Sequence, residues 1–231
     1  MDAWSDAQIV SLEGHAVRAF LQGYLTCNSG RIEHNAPTPM ALCNLKGRVI
    51  ANGWAIGDDA KVQLIVHGSI AASLATFLQP YAMFSKCKVE ALSQAVYVES
   101  KPESNNAFIG DWCFAQSPED SQSETDRSDA IASSLIADRF ALVSEPVAGK
   151  FLPQVLGMHE LGAVDFDKGC YLGQEIVARA QFRGAVKRGI DQFSWQGDCP
   201  APGSDWEDEE RGKGTVVSAF EGTGIWVRSL T

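Results

Sequence analysis

The sequence predicts an α+β fold. Apolar residues alternate along several short segments and recur at helical spacing in others, and the two kinds of segment do not alternate regularly along the chain. That order favours α+β layers over the repeated β-α-β units of a parallel sheet. The 231 residues contain no internal repeat and suffice for one large or a few small domains with an ample core.

The first hundred residues contain the most regular patterns. Helical spacing predicts one helix over residues 12–26 and a second over 70–78, which Pro80 is expected to end. Alternating apolar residues predict strands over 40–45, 48–56, 61–67, 86–92 and 95–99. The turn between the first two of these strands falls at residues 45–47.

The remainder of the chain is broken by polar segments. Residues 117–129 contain no apolar side chain and predict a mobile surface loop. Helices are predicted over 131–140 and, after the motif described below, over 174–182. The last segments, 189–195 and 214–227, predict strands on either side of an acidic, solvated loop at 205–210.

The charge, the cysteine content and the hydropathy of the sequence argue against several classes of protein, among them nucleic-acid-binding, membrane and secreted proteins. A formal charge of −10 argues against direct binding to a phosphate backbone. The sequence predicts neither a membrane span nor a secretory signal, because no long apolar run is present and the N-terminus is acidic. The six cysteines are widely spaced without a Cys-x-x-Cys pair, which predicts unpaired thiols in a reducing cytoplasm and no metal site. Scattered histidines and the absence of a phosphate-binding loop leave metal and nucleotide chemistry unsupported.

The most informative segment is 168–175, Lys-Gly-Cys-Tyr-Leu-Gly-Gln-Glu. Gly169 and Gly173 allow sharp turns on both sides of Cys170, and a helix is predicted to begin just afterwards. A thiol near a helix N-terminus with Lys168 close by has its thiolate favoured, so Cys170 is a candidate reactive group. The alternative is an inert core cysteine in a tight turn.

The segment also carries a resemblance. Together with 176–180 (Ile-Val-Ala-Arg-Ala) and 182–188 (Phe-Arg-Gly-Ala-Val-Lys-Arg), it resembles the signature of the YgfZ family. The likeness extends upstream to 151–154 (Phe-Leu-Pro-Gln), and more weakly to 43–48 (Cys-Asn-Leu-Lys-Gly-Arg) and to 14–26, which resembles the family's opening helix. YgfZ proteins bind folate, are linked to iron-sulfur cluster maintenance and tRNA modification, and are related in fold to the glycine-cleavage aminomethyltransferase, the T-protein.

The resemblance implies a ring of two α/β portions and a small C-terminal β-barrel around a folate channel. The expected portions are residues 1–100, 101–185 with the motif, and 186–231. This chain is shortened relative to the family, because the stretch between Glu99 and Ala130 is compressed and the C-terminal part is brief for a complete barrel.

The resemblance also implies a function and its partners. We expect a factor that assists assembly or repair of iron-sulfur clusters in enzymes, including tRNA-modifying enzymes, with tetrahydrofolate or a related folate as ligand and iron-sulfur proteins or cluster carriers as partners. A non-catalytic folate-dependent scaffold and a divergent aminomethyl transferase stay open. The transferase is disfavoured because Ala51-Asn52 stands where those enzymes carry an acidic pair. Direct nucleic-acid or membrane partners and a permanently bound metal are not expected.

Site residues follow from the motif and the resemblance. Cys170 is the expected nucleophile or transient cluster ligand, with Lys168 favouring its thiolate. Supporting roles in the loop and at the helix start are assigned to Gly169, Tyr171, Gly173, Gln174, Glu175 and Arg179, of which Glu175 and Arg179 are spaced for an i,i+4 ion pair. Trp4 and Arg183 are the candidate folate contacts, although Trp4 could equally be a surface residue or a lid. Arg183 belongs to a basic group with Arg179, Lys187 and Arg188, which is either an anion patch or a solvated helix face.

Overall fold

The computed structural model describes residues 2–102, 104–115, 125–184 and 186–230. These residues form an α+β fold built on three β-sheets, one of five strands and two of four. The α+β class predicted from the sequence is confirmed.

The five-stranded sheet has the order β3-β4-β5-β2-β6, and its neighbouring strands pair antiparallel. Its strands are β2 (Ala7–Glu13), β3 (Thr38–Cys43), β4 (Val49–Gly57), β5 (Lys61–His67) and β6 (Lys88–Ala91). Helices α1 (Val17–Gln22) and α2 (Gly68–Phe84) cover one face and bury an apolar core against it. A short 3-10 helix, Ser29–Arg31, follows α1.

The second sheet combines the chain start with the middle of the chain. Its order is β8-β7-β1-β9, where β1 is Asp2–Trp4, β7 is Val96–Ser100, β8 is Trp112–Phe114 and β9 is Thr125–Asp126. Helix α3 (Ser128–Ala137) packs beside it. Because β1 pairs with β7 and β9, the first residues of the chain belong to this sheet and not to the five-stranded one.

The third sheet follows the motif helix α4 (Gln174–Arg183). It is antiparallel, with the order β10-β13-β12-β11. The strands are β10 (Arg188–Ser194), β11 (Asp205–Asp208), β12 (Gly212–Phe220) and β13 (Thr223–Ser229). The expected closed barrel is not shown, since the described residues form an open sheet whose edges are β10 and β11.

Several predicted elements are confirmed. The 45–47 turn joins β3 to β4, and the predicted strand 61–67 is β5 with the same bounds. The predicted segments 86–92 and 95–99 contain β6 and β7. The segment 214–227 is a hairpin of β12 and β13, which turns at Glu221 and Gly222, both with positive φ.

The predicted helix over 12–26 was too long. Residues 12 and 13 end β2, which lies inside the sheet between β5 and β6. Gly14, with φ of 154°, breaks the strand, and a side chain there would meet the Lys86 carbonyl at 2.8 Å. The helix therefore occupies only Val17–Gln22.

Three further expectations are corrected. Helix α2 continues through Pro80 to Phe84, because the burial of Leu78 and Ala82 on either side of it outweighs the hydrogen bond that proline lacks. The acidic segment 205–210 contains strand β11, which pairs with β12. Part of the predicted loop 117–129 is ordered as β9 and the start of α3, and residues 116–124 lie outside the described residues.

Candidate functional site

The motif loop 163–173 is fastened to the segment that follows α1. Thr26 accepts a hydrogen bond at its carbonyl from Asp165 N at 2.9 Å, and Gly23 accepts one from Leu172 N at 3.0 Å. Asp165 also forms an ion pair with Arg31 at 3.6 Å. Residues far apart in sequence are thus joined on both sides of Cys170, which gives the loop a defined backbone.

Lys168 is the central anchor of this loop. It is 8% exposed, and its Nζ donates to the carbonyls of Gln22, Leu25 and Cys27 at 2.8, 2.6 and 2.9 Å. Burial lowers the pKa of Lys168 to about 8, against the opposing effects of Cys27 and Asp165. Through these three hydrogen bonds, each proton of the Lys168 ammonium is directed to a backbone carbonyl. The hydrogen bonds give Lys168 a structural role, and the contact with Cys170 that its predicted role calls for is not among them.

Tyr171 is the second anchor. Its side chain is buried, and the Lys168 ammonium lies 5.1 Å from the ring centroid, a cation-π distance. Burial raises the pKa of the Tyr171 hydroxyl, so this group stays neutral. Because the side chains of Lys168 and Tyr171 both point inward, Cys170 between them lies on the outside of the loop.

Cys170 is exposed. Four of the other cysteines, Cys27, Cys43, Cys87 and Cys113, are buried, and Cys199 is the second exposed thiol. Burial raises the pKa of Cys27 to about 11 and that of Cys43 to about 12, which keeps these thiols protonated. The exposure of Cys170 contradicts the alternative of an inert core cysteine.

Gly173 forms the junction between the loop, helix α4 and the β3–β4 turn. It is the N-cap of α4 with φ of 80°, a left-handed conformation suited to glycine. A Cβ at this position would overlap the Asn44 carbonyl oxygen and lie 3.0 Å from Gly47 Cα. Gly47 in turn packs against Ile176 of α4. The absence of side chains at both glycines therefore lets helix and turn approach closely.

The supporting polar residues on α4 are less engaged than predicted. No side-chain hydrogen bond caps the helix, so the capping role proposed for Gln174 and Glu175 is not seen. Among the described residues Glu175 forms no ion pair with Arg179. Glu175 does lie in the first turn, where its charge complements the helix dipole.

The two candidate folate contacts are not brought together. Trp4 is 1% exposed, stacked on Phe108 at 5.4 Å and set edge-on to Trp54 at 6.1 Å, so it is a core residue rather than a surface one. Arg183 is exposed in the last turn of α4. The expectation that these two side chains share one ligand is therefore not supported.

A small cavity lies where the three sheets meet. Its volume is about 170 Å³, and its lining includes Trp4, Leu135 and Phe140 together with two hydroxyls that lack hydrogen-bond partners, those of Ser144 and Ser218. Pockets for drug-sized ligands typically measure roughly 300–1,000 Å³. A whole folate does not fit this cavity as it stands.

Asn52 lies in the interior of β4 and not in a turn. It is fully buried, accepts from Val143 N at 2.7 Å and donates to the Ala141 carbonyl at 2.9 Å. The amide therefore links β4 to the segment that follows α3. The amide offers neither a charge nor a free acid-base group.

The described residues, 2–102, 104–115, 125–184 and 186–230, contain neither a metal-binding cluster nor a membrane-spanning helix. No three His, Cys, Asp or Glu side chains in these ranges gather into a group that could hold a metal ion. No helix in the same ranges is long and apolar enough to cross a membrane.

The chain has relatives of known name that align with nearly its whole length. The chain is 28% identical to the tRNA-modifying protein YgfZ of Sodalis glossinidius over 271 aligned positions, which cover 97% of this chain and 82% of that protein. It is 27% identical to the YgfZ of Yersinia pestis (strain Pestoides F), with 100% and 82% covered. The chain is a distant, full-length homologue of YgfZ.

The alignment with the Sodalis relative is 271 positions long, more than the 231 residues of this YgfZ homologue, so the relative has residues without a counterpart here. No protein-family model matches the chain. In fold, the chain resembles the glycine cleavage system aminomethyltransferase T of Bartonella henselae, with a TM-score of 0.64 over 99% of this chain and 77% of that one. At 13% identity this likeness shows the fold alone.

Sequence reasoning missed two features of the site in this YgfZ homologue. The three carbonyls that bind Lys168 come from residues about 140 positions earlier, and no local pattern announces them. The packing of the 44–48 turn against α4 was also missed. This contact is made at Gly47 and Gly173, which the sequence indicated only as turn glycines.

The exposure pattern predicts how the thiols react. We expect iodoacetamide to modify Cys170 and Cys199 in the folded protein and to leave the four buried cysteines unmodified until the chain unfolds. Mass spectrometry of the intact protein should therefore show two additions at neutral pH. Modification of Cys27 or Cys43 at a rate similar to that of Cys170 would contradict the described burial.

Proposed function

We propose that this chain assists the assembly or repair of iron-sulfur clusters in enzymes, including tRNA-modifying enzymes, through the thiol of Cys170. The observation that carries the proposal is the exposed thiol on a loop fixed by buried Lys168 and buried Tyr171. A rigid loop presents the sulfur to a partner without an entropic cost of ordering it at each encounter. The distant homology to tRNA-modifying YgfZ proteins supports the same function.

The action of Cys170 is transient in this proposal. Iron-sulfur clusters in proteins are commonly held by four cysteine thiolates, so one thiolate leaves further positions to the partner. Cys170 supplies one ligand while the partner's cysteines supply the others, and it withdraws when they complete the set. No oxidation or reduction of Cys170 is needed for this exchange.

The folate part of the expectation has a narrower basis. The resemblance to YgfZ and to the aminomethyltransferase fold supports a folate as ligand, and the cavity between the sheets offers aromatic walls with two free hydroxyls. Its volume of about 170 Å³ does not fit the whole molecule. No step of the proposed action is therefore assigned to folate.

Complementation of a strain lacking its own YgfZ tests the proposal. We expect the wild-type chain to restore the activity of an iron-sulfur tRNA-modifying enzyme and the Cys170→Ser variant to restore at most about a tenth of it, because a hydroxyl replaces the metal-binding thiolate. Cys199→Ser is the matched control, since it removes the other exposed thiol, and it should rescue fully.

The same assay separates the alternatives. Equal rescue by Cys170→Ser would move Cys170 to a structural role and favour a scaffold for iron-sulfur proteins. Turnover of a folate adduct by the purified protein would favour the aminomethyl transferase, which the buried and fully hydrogen-bonded Asn52 disfavours. If the wild type itself fails to rescue although it is folded and expressed, the proposed function is wrong.

A further inference from the structure

An open groove lies beside the motif loop, between helix α2 and the 44–48 turn. Its volume is about 640 Å³. Leu172 of the motif loop lines it, two residues from Cys170. We call it the Tyr81 groove and define it by Tyr24, Phe77, Tyr81, Leu45, Lys46 and Arg48, which surround it together with three other residues.

The groove has an aromatic wall. The rings of Tyr24 and Tyr81 lie 5.5 Å apart, and those of Phe77 and Tyr81 lie 5.9 Å apart. Both distances fall within the range of favourable ring pairs. Burial raises the pKa of Tyr24, and its hydroxyl is therefore neutral.

The apolar surface extends beyond the groove itself. Leu45 is 79% exposed at the tip of the turn, and Tyr81 is 47% exposed. Met83 and Phe84, at the end of α2, are 73% and 87% exposed. Exposed apolar side chains at the rim of a groove are typical of an interaction surface, and they suit a polypeptide better than a small molecule.

The charges of the groove have one sign. Lys46 and Arg48 are the charged residues that line it, and no Asp or Glu is among the described lining residues. Neither Lys46 nor Arg48 forms an ion pair with a described acid, whereas the chain as a whole carries a charge of −10. A positive edge on an acidic protein selects a partner of opposite charge.

The turn that bears Leu45 and Lys46 packs directly against the motif helix. Gly47 is in contact distance of Ile176, and Gly173 lies directly against the turn. Leu172 is held by Gly23, the neighbour of Tyr24. A segment seated in the groove is therefore positioned next to Cys170 without rearrangement of the loop.

We propose that the Tyr81 groove docks a segment of a partner protein in which an aromatic or long aliphatic side chain is flanked by acidic residues. The apolar side chain packs on Tyr24, Phe77 and Tyr81, and the acids pair with Lys46 and Arg48. The proposal rests on the proposed function in that this partner is the iron-sulfur protein served by Cys170.

Site-specific photocrosslinking in cells tests the docking directly. A benzophenone amino acid replaces Leu45 in the groove, and the matched control places it at Leu230, another exposed leucine in the third sheet's terminal segment. We expect position 45 to capture an iron-sulfur protein, with the captured peptide containing an apolar side chain beside acids. Lys46→Glu should lower the yield by about fivefold or more, whereas Lys187→Glu, at an exposed lysine outside the groove, should not.

Three outcomes would overturn the docking proposal. In the first, the crosslinker at position 45 captures no more protein than the crosslinker at position 230. In the second, it captures segments without acidic residues, or only another copy of this chain. In the third, the crosslink yield does not depend on Lys46. Thermal unfolding of each variant excludes misfolding, which is not expected because Leu45 and Lys46 are exposed.

The two proposals fail separately. Cys170→Ser should leave the crosslink yield unchanged, because the thiol is not part of the groove. Full rescue by Leu45→Asp in the complementation assay would contradict the docking and leave the role of Cys170 standing. Capture at position 45 without rescue by the wild-type chain would contradict the proposed function and leave the docking standing.

Discussion

We expect Gly173→Ala to lower the free energy of unfolding by about 2–4 kcal/mol. The residue has φ of 80°, which costs energy for any side chain, and its new Cβ would overlap the Asn44 carbonyl oxygen. The overlapping atom is backbone and cannot rotate away. Either the β3–β4 turn or the start of α4 must therefore shift. Denaturant unfolding followed by circular dichroism measures the loss.

Gly169→Ala is the matched control in the same loop. No atom lies within 4 Å of a Cβ at Gly169, and its φ is not positive. We expect its effect to stay within about 0.5 kcal/mol. Equal destabilisation by both substitutions would show that the loop tolerates no added volume anywhere and would refute the specific contact with the turn.

The Gly173→Ala variant also tests whether function requires the position of the Cys170 thiol as well as its presence. Gly173→Ala keeps Cys170, but it displaces the junction that positions both the loop and the groove. We therefore expect it to rescue poorly in the complementation assay although iodoacetamide still modifies its thiol. Gly169→Ala should rescue as the wild type does. Full rescue by Gly173→Ala would show that cluster maintenance does not depend on this geometry.

Local patterns were sufficient for much of the fold. Alternation predicted β5 with its bounds, because Val62, Leu64 and Val66 face one apolar core while Ile65 packs into another on the opposite face of the sheet. The turn between β3 and β4 was predictable since Gly47, with φ of 67°, follows Lys46 where the apolar run stops. In these segments local preference and tertiary packing agree.

The sequence-based predictions failed where pairing between distant segments determines the secondary structure. Strand β11 is rich in acids and resembled a loop, yet its backbone pairs with β12 along the whole segment from Asp205 to Asp208. An edge strand can carry charges because one side of it faces water. Strand β1 was missed because three residues give no period, and its partners β7 and β9 lie about 95 and 120 positions away.

For the site, the sequence indicated a candidate reactive residue but not its surroundings. Cys170 was predicted from the glycines beside it, and its exposure agrees with that prediction. Lys168 was interpreted as a partner of the thiol because the two are neighbours in sequence. The fold instead turns Lys168 inward, toward carbonyls that only the tertiary structure brings within reach.

The role of Lys168 leads to the second large effect. We expect Lys168→Met to lower the free energy of unfolding at pH 7 by about 2–4 kcal/mol, because three buried carbonyls lose their donor while the volume of the side chain is kept. Lys187→Met, at an exposed lysine, is the control and should stay within about 0.5 kcal/mol. A loss of similar size in both variants would contradict the anchor.

The difference in free energy of unfolding between the wild type and Lys168→Met should depend on pH, and the sign of that dependence follows from the pKa of Lys168. The pKa of Lys168 is lowered to about 8 in the folded protein, whereas an unfolded lysine titrates near 10.4. Between these values the unfolded chain binds the proton and the folded chain does not, so the stability of the wild type rises with pH relative to Lys168→Met, by at most about 1.4 kcal/mol per pH unit. Below pH 8 both states are protonated and the difference is flat.

The difference between the wild type and Lys168→Met excludes the contributions that other titrating groups make to the pH dependence of stability. Cys27, whose pKa burial raises to about 11, is protonated in the fold where an unfolded thiol is ionised, so its contribution falls as pH rises above about 8.5. The Lys168 ammonium lowers the pKa of Cys27, so its removal raises that pKa further. The folded thiol therefore stays protonated in both proteins up to about pH 10.5, and its contribution cancels in the difference over this range. Urea unfolding at intervals from pH 7 to 10.5 therefore isolates Lys168. A difference that stays flat or shrinks across this range would mean that the ammonium keeps its proton, and that the three carbonyls hold it against the cost of burial.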